Sequence, residues 1–196
     1  MSRTLTLLQE LIIQGIRVWP RDGKLRYAGL PHLITPHAIG QLKQHRDELL
    51  TSLMASRTVP LSYGQQGLWT IQQQEPDNSA YTVSVALAVH GQLDLPLLHD
   101  VIQLLVNRHE SLRTRFVWQD EQVVQQILGY QPATIEEIPA AGWSDAERDQ
   151  QLRVLHARPF DLAQGPLFRT AILQHSPEQH TILLSVHHIV VDGWSI

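Results

Sequence analysis

The chain has 196 residues, of which 43% are hydrophobic and 17% are charged. This composition is too apolar for a disordered chain and too mixed for a fibrous one, so it indicates a globular protein. Cysteine is absent, which excludes disulfides, thiolate metal sites and a cysteine nucleophile. No apolar run approaches the ~18 residues of a membrane span, and the first residues lack a signal-peptide pattern. We therefore expect a cytoplasmic protein without a membrane partner.

The net charge of −4 is unevenly distributed along the chain. Residues 1–58 carry eight Lys or Arg and only four Asp or Glu, which gives +4, whereas the remainder carries −8. Two units with different partners are the simplest interpretation. We predict a first unit over residues 1–55, a connector over 56–60 and a second unit over 61–196.

The first unit shows a helix, a hairpin and a second helix in chain order. Apolar residues at helical spacing predict a helix over residues 4–14, which Gly15 ends. Residues 16–19 and 24–27 alternate around Asp22-Gly23, a hairpin turn signal. Thr35-Pro36 predicts the start of a helix that runs to about Leu53. Such a hairpin leaves two strand edges open.

The second unit mixes helices with alternating strands. Helices are predicted from Ser62 to Gln74, after Asp94 with Pro96, and from Ser144, which opens a capping box, to Ala157. Strands are predicted over residues 81–89, 112–118, 122–128, 167–174 and 180–191. The expected fold class is α+β, with a mostly antiparallel or mixed sheet.

The strongest chemical signal is VHHIVVDG at residues 186–193. Successive strand residues face opposite sides, so only one histidine of the pair can point into a given cavity. Histidine titrates near neutral pH and is the usual group for moving a proton to or from a nucleophile. A partly buried histidine pair followed by an Asp-Gly turn explains the same pattern, and both interpretations stay open on these residues alone.

Four stretches in order resemble the condensation domains of nonribosomal peptide synthetases. HHIVVDG at 187–193 is similar to the family's HHxxxDG motif, and it follows LSYGQQGLW at 61–69, RHESLRTRF at 108–116, and RPFDL with GPLFR at 158–169. The first stretch departs from the family at Gly67, where Arg is usual. The resemblance implies the N-terminal lobe of a two-lobe fold like that of chloramphenicol acetyltransferase. The active site then lies between the lobes, and the second lobe is not part of this sequence.

This resemblance also implies a reaction and its residues. Such domains transfer an acyl or peptidyl group from the phosphopantetheine thioester of one carrier protein to an amine on the next. His188 is the expected catalytic residue, acting as proton acceptor or as a hydrogen-bonding group that orients the amine. The expected supporting residues are His187, which is structural, Asp192, which holds the turn by an ion pair, and Gly193, which lets the thioester arm approach. The partner of Asp192 is expected to be Arg113, Arg115 or a residue of the second lobe. No metal or bound cofactor is expected in this segment, and we expect residues 1–196 alone to be inactive.

Residues 1–55 resemble the small N-terminal docking domain named after the tubulysin synthetase. The similarity lies in LLQEL at 7–11, GIRVW at 15–19 and HRDELL at 45–50. It implies that the hairpin receives the C-terminal tail of an upstream synthetase subunit. An open-edged hairpin with Arg17, Trp19, Lys24 and Arg26 suits an acidic extended peptide. A solvated basic face is the alternative, whereas nucleic-acid binding lacks a groove-reading motif.

Other functions compete with amide-bond formation. HxxxD also occurs in CoA-dependent acyltransferases of related fold. An epimerisation domain shares the histidine pair but follows an upstream module, and a heterocyclisation domain replaces the pair with Asp. The chain as given could also serve only as a docking module without catalysis.

Overall fold

The computed structural model describes residues 3–192, which form two compact units. Residues up to 56 belong to the first unit together with residues 128–130, and the rest of the described chain forms the second. Each unit has its own group of buried apolar residues.

The first unit consists of helices α1 (Arg3–Ile13), α2 (Pro36–Gln44) and α3 (Arg46–Met54) around the hairpin of β1 (Arg17–Arg21) and β2 (Lys24–Ala28). Asp22 and Gly23 both have positive φ, 52° and 68°, as a two-residue hairpin turn requires. The buried side chains of this unit are Leu7, Leu8, Leu11, Ile16, Ala38, Leu42 and Leu49. Val18 and Leu25 pack on them from the hairpin. The unit therefore buries one face of the hairpin and leaves the other to solvent.

The single helix predicted up to Leu53 is wrong, because the chain forms two helices that meet at His45. His45 has φ −105° and ψ 18°, which lies outside the helical range, so the chain changes direction there. The predicted start is confirmed: the Thr35 hydroxyl accepts a hydrogen bond from the Ala38 N–H at 3.2 Å.

The second unit has two sheets and three α-helices among the described residues. Its elements are β3 (Arg57–Pro60), α4 (Tyr63–Gln74), β4 (Thr82–His90), α5 (Leu95–Arg108), β5 (Thr114–Gln119), β6 (Gln122–Ile127), β7 (Ile135–Pro139), α6 (Asp145–Ala157), β8 (Phe168–Ser176) and β9 (Gln179–His187). One sheet has the order β3-β6-β5 and is antiparallel. The other has the order β4-β9-β8-β7, in which only the β7–β8 pair is parallel. No described helix is long and apolar enough to cross a bilayer.

The helix starts of this unit follow the capping signals of the sequence. Ser62 and Ser144 each form a complete capping box, with Gln65 and Glu147 as partners three residues on. The Asp94 carboxylate accepts a hydrogen bond from the Leu97 N–H at 3.0 Å. These side chains satisfy N–H groups that the first helical turn leaves without a backbone partner.

The strand predictions need correction at three places. The strand predicted through Val191 ends at His187, because residues His188–Val190 form a 3-10 turn instead. Residues 57–60, expected as a connector, form strand β3 by pairing with β6. The strand β7 was not predicted, since its sequence IEEIP has two adjacent glutamates and pairs only through a parallel ladder to a distant strand.

The larger sheet carries α5 on one face and α6 on the other. Phe168, Leu184 and Val186 pack with Ile102 and Val106 of α5. On the opposite face Ala171, Leu173 and Leu183 pack with Leu155 of α6. A third group, which includes Leu61, Phe116, Phe160, Leu167 and Ile189, buries the turn after β9. That turn is where the predicted site lies.

Candidate functional site

The two adjacent histidines at the end of β9 lie in opposite environments. His187 is the last residue of the strand and is 1% exposed, whereas His188 opens the following turn and is exposed. Burial, with a smaller contribution from the neighbouring His188, lowers the pKa of His187 to about 4. His187 is therefore neutral at physiological pH. Of the two histidines, only His188 is accessible to solvent.

The ring of His187 is held on both nitrogens. Its Nδ1 accepts a hydrogen bond from the Ile189 N–H at 3.1 Å. Its Nε2 lies 3.4 Å from Oε1 of Gln72, a buried residue of α4. The Phe160 ring meets the imidazole edge-on, with the centroids 6.1 Å apart. These contacts hold the His187 ring in one orientation beneath the turn.

The backbone of the turn is anchored at three further points. The His187 N–H donates to the Leu167 carbonyl at 3.0 Å, and the His188 N–H donates to the Tyr81 carbonyl at 2.8 Å. The Ile189 carbonyl accepts from Nε2 of Gln65 at 3.2 Å. The exposed imidazole of His188 thus extends from backbone that is hydrogen-bonded on both sides, which limits the positions it samples.

Gln65 connects three elements around this turn. Besides its bond to Ile189, its Nε2 donates to Oε1 of Gln125 on β6 at 3.0 Å, and its Oε1 accepts from the Ser62 N–H. Gln125 in turn donates to the Pro60 carbonyl at 2.9 Å. Farther along α4, Gly67 is exposed, and a Cβ placed there meets nothing within 4 Å. The departure at Gly67 therefore leaves this network in place.

Arg169 contacts the Phe160 ring, which itself meets His187. Its guanidinium lies 4.0 Å from the centroid of the Phe160 ring, and it donates to the carbonyls of Leu155, Arg158 and Pro159 at the end of α6. Burial lowers the pKa of Arg169, with a further lowering by Arg158 and an opposing effect of Glu136. Arg169 therefore contacts the face of the Phe160 ring, and Phe160 in turn makes an edge contact with His187.

The other predicted supporting residues lie around β5 and at the end of the described chain. Arg113 is mostly buried, lies 3.8 Å from the carboxylate of Glu110, and has its pKa lowered chiefly by burial. Arg115 donates to Oε1 of Gln126 at 2.7 Å. Asp192 is exposed, and its ion pair with either arginine stays a prediction. Gly193 lies outside the described residues.

The hairpin of the first unit places all its predicted binding residues on one face. Strand register puts Trp19 opposite Arg26 and Arg17 opposite Ala28, while Val18 and Leu25 face the core. Arg17, Lys24 and Arg26 are exposed and Trp19 is half-buried. Arg21 lies on the same face, opposite Lys24. The sequence had not indicated Arg21 as a binding residue. The solvent face of the hairpin is therefore a basic surface around one indole ring.

Sequence reasoning also missed Gln72 and Arg169. Gln72 lies in the run QQQ at residues 72–74, which looks like a solvated helix face. Its spacing from Leu68 and Trp69 is the signal that could have placed it on the inner face of α4. Among the described residues no cluster of three or more His, Asp or Glu side chains is arranged to hold a metal ion.

Comparison with known proteins places both units in families. A model of the condensation domain matches residues 55–196, and a model of the TubC N-terminal docking domain matches residues 6–54. A linear gramicidin synthase protein from Brevibacillus parabrevis is 37% identical over 155 residues, which is 77% of this chain and 2% of that protein. The phosphinothricin tripeptide synthetase PhsB from Streptomyces viridochromogenes is 34% identical over 145 residues, which is 72% of this chain and 12% of that protein. The chain thus spans a small part of the curated relatives that it matches.

Solved structures agree with these matches. The starter condensation domain of the rhizomide synthetase RzmA superimposes with a TM-score of 0.65 and 26% identity, covering 70% of this chain and 34% of that one. A mutant of that domain in complex with C8-CoA gives a TM-score of 0.61 and 25% identity, covering 67% of this chain and 31% of that one. These matches confirm the predicted α+β fold class and its likeness to condensation domains. The chain belongs to the condensation domain family of nonribosomal peptide synthetases, with a docking domain of the TubC type at its N-terminal side.

Proposed function

We propose that residues 61–196 are the N-terminal lobe of a condensation domain that forms an amide bond between two carrier-bound substrates. The amine of the acceptor attacks the thioester carbonyl of the donor, a C–N bond forms, and the C–S bond breaks. The proton from the amine ends on the leaving thiol. The phosphopantetheine arms of the donor and acceptor carrier proteins bring in both substrates.

His188 is the catalytic residue in this proposal. The observation that carries it is the contrast between a buried neutral His187 and an exposed His188 on anchored backbone. The His188 imidazole accepts the proton of the amine or orients the amine by a hydrogen bond. In this proposal Asp192 holds the turn by an ion pair, and a glycine at position 193 lets the thioester arm approach the backbone. An aspartate is a poor proton acceptor because its pKa is normally about 4.

His188→Ala in the synthetase protein that contains this chain tests the assignment. We expect amide formation to fall by roughly 100-fold or more, the usual contribution of a positioned acid–base group. His90→Ala removes another exposed histidine and serves as the control. Normal turnover of the His188 variant would overturn the assignment. Residues 1–196 alone are expected to give no product, because this chain covers only 34% of the solved starter condensation domain.

A CoA thioester as acyl donor is the second candidate, because the RzmA starter domain has been solved in complex with C8-CoA. The same octanoyl group offered on CoA and on a carrier protein separates the two. Higher kcat/KM with the carrier supports the first proposal, and higher kcat/KM with CoA supports the second.

We also propose that the hairpin of the first unit binds the acidic C-terminal tail of an upstream synthetase subunit. The shared face of Arg17, Trp19, Lys24 and Arg26, extended by Arg21, supports this docking. Within the described residues β1 and β2 pair only with each other, so each strand has an edge that an extended peptide could join. Backbone pairing supplies affinity, and the basic face favours acidic sequences.

Calorimetry of the chain with acidic tail peptides tests the docking. Arg26→Glu should weaken binding, whereas Lys43→Glu, an equal change of net charge on α2, should leave it unchanged. Higher salt should weaken binding to the wild type. Failure of every acidic tail peptide to bind at low salt would contradict the proposal.

A further inference from the structure

Gln72 is a buried polar side chain beneath the site, and it has no role in the proposed amide-bond reaction. It is 4% exposed, and its one contact toward the site is the imidazole of His187. We infer that Gln72 is a positioning residue: its amide fixes the tautomer of His187 and thereby the turn that presents His188. The catalytic part of this inference depends on the proposed role of His188, whereas the structural part does not.

The orientation of the Gln72 amide follows from its other hydrogen bond. Its Nε2 donates to the Pro76 carbonyl at 2.7 Å. A flipped amide would place two acceptor oxygens at that distance, which is repulsive. Oε1 therefore faces His187, and because a carbonyl oxygen only accepts, Nε2 of His187 must carry the hydrogen.

The opposite side of the ring requires the same tautomer. Nδ1 of His187 lies 3.1 Å from the Ile189 nitrogen, whose N–H donates to it. Nδ1 must therefore present a lone pair. The neutral imidazole with hydrogen on Nε2 satisfies both contacts at once, and the other tautomer satisfies neither.

Burial makes this arrangement sensitive to Gln72. Gln72 and His187 are 4% and 1% exposed, so water does not replace a lost partner. Without Oε1 the Nε2–H of His187 is left unsatisfied, which favours rotation of the ring or a change of tautomer. Either response removes the acceptor of the Ile189 N–H, and Ile189 is bonded directly to His188.

Nitrogen NMR of the histidine rings tests the structural part. The His187 signals are assigned by their loss in the variant His187→Gln. In the wild-type chain they should show hydrogen on Nε2. Gln72→Met keeps the side-chain length without a hydrogen-bonding group. It should speed hydrogen exchange of the Ile189 amide by about 10-fold or more, whereas Gln73→Met, on the exposed face of α4, should leave it unchanged.

Turnover of the whole synthetase protein tests the catalytic part. Gln72→Met should lower kcat by about 10-fold with KM unchanged, because misplacement of a catalytic group affects the transition state rather than binding. Gln72→Glu keeps an acceptor toward Nε2, and its protonated form, which burial favours, can still donate to the Pro76 carbonyl. This variant should recover part of that loss, which a purely structural packing role would not produce.

The outcomes separate the two proposals. Hydrogen on Nδ1 in the wild type overturns the inference without any variant, and so does unchanged Ile189 exchange in Gln72→Met. If His188→Ala turns over normally while the NMR and exchange results hold, the proposed function fails and the structural part of the Gln72 assignment stands. If His188→Ala is inactive and Gln72→Met has wild-type kcat, the positioning role fails alone.

Discussion

The guanidinium of Arg169 lies 4.0 Å from the centroid of the Phe160 ring, and the edge contact of that ring with His187 links β8 to the end of β9. Arg169 also donates to three carbonyls at the end of α6 and just beyond it, including that of Arg158. One cation thus closes a helix end and supports the ring beneath the site.

Arg169→Met keeps the apolar stem but removes the charged donor from three carbonyls, two of them in part-buried hydrogen bonds. It should destabilise the second unit by about 2 kcal/mol. Urea unfolding measures the change. Arg153→Met, on the exposed side of α6, is the control and should cost less than about 0.5 kcal/mol. Equal stabilities of the two variants would contradict this role of Arg169.

Gly129 lies against the backbone of Met54 within the first unit, where the Tyr130 N–H donates to the Leu53 carbonyl at 3.0 Å. A Cβ at residue 129 would overlap the carbonyl group of Met54 and lie 2.6 Å from its Cα. Gly129→Ala should therefore destabilise this unit by at least about 2 kcal/mol in urea unfolding.

Gly67→Ala should instead increase the free energy of unfolding. This glycine lies inside α4 and its Cβ would enter open space, so alanine should stabilise the helix by about 0.5 to 1 kcal/mol. Thermal unfolding checks the direction. A loss of stability would mean that Gly67 is required in α4 for a reason other than space.

His187 makes folding of the second unit dependent on pH. The folded pKa is about 4, below the value near 6.5 of an unfolded chain, so the unfolded state binds a proton first as pH falls. The contribution of neutral His187 to the free energy of unfolding is fully present above about pH 6.5. It falls by up to about 3 kcal/mol as the pH drops towards 4. Urea unfolding of the wild type and His187→Gln across this range measures the difference, and parallel curves would contradict the prediction. An NMR titration should place the His187 midpoint near pH 4.

The capping residues Ser62, Asp94 and Ser144 located three helices from the sequence, because their hydrogen bonds lie within one helical turn and need no tertiary partner. The hairpin turn at Asp22-Gly23 was predictable for the same local reason. Strand β7 was not, since its glutamates join the sheet only through pairing with β8. Helical periodicity likewise gave no sign of the break at His45.

The site was predictable as a motif and less so as a set of contacts. The adjacent histidines of residues 187 and 188 stood out in the sequence, but the turn after His187 did not, because apolar residues 189–191 continue the strand pattern. Gln72 and Arg169 contact the His187 and Phe160 rings, which only the fold brings near them. A polar residue at an inward-facing position of a helix or strand is the sequence feature that could have indicated both residues.

Strand β4 ends the larger sheet, and among the described residues nothing pairs with its outer edge. Its nine residues, TVSVALAVH, contain no proline and no Asp, Glu, Lys or Arg, and Val85 and Leu87 are 38% and 46% exposed. Natural edge strands are normally protected by charges, proline or a covering element. Unless another segment covers this edge, concentrated solutions of the chain should self-associate through intermolecular strand pairing, so its solubility depends on what covers β4.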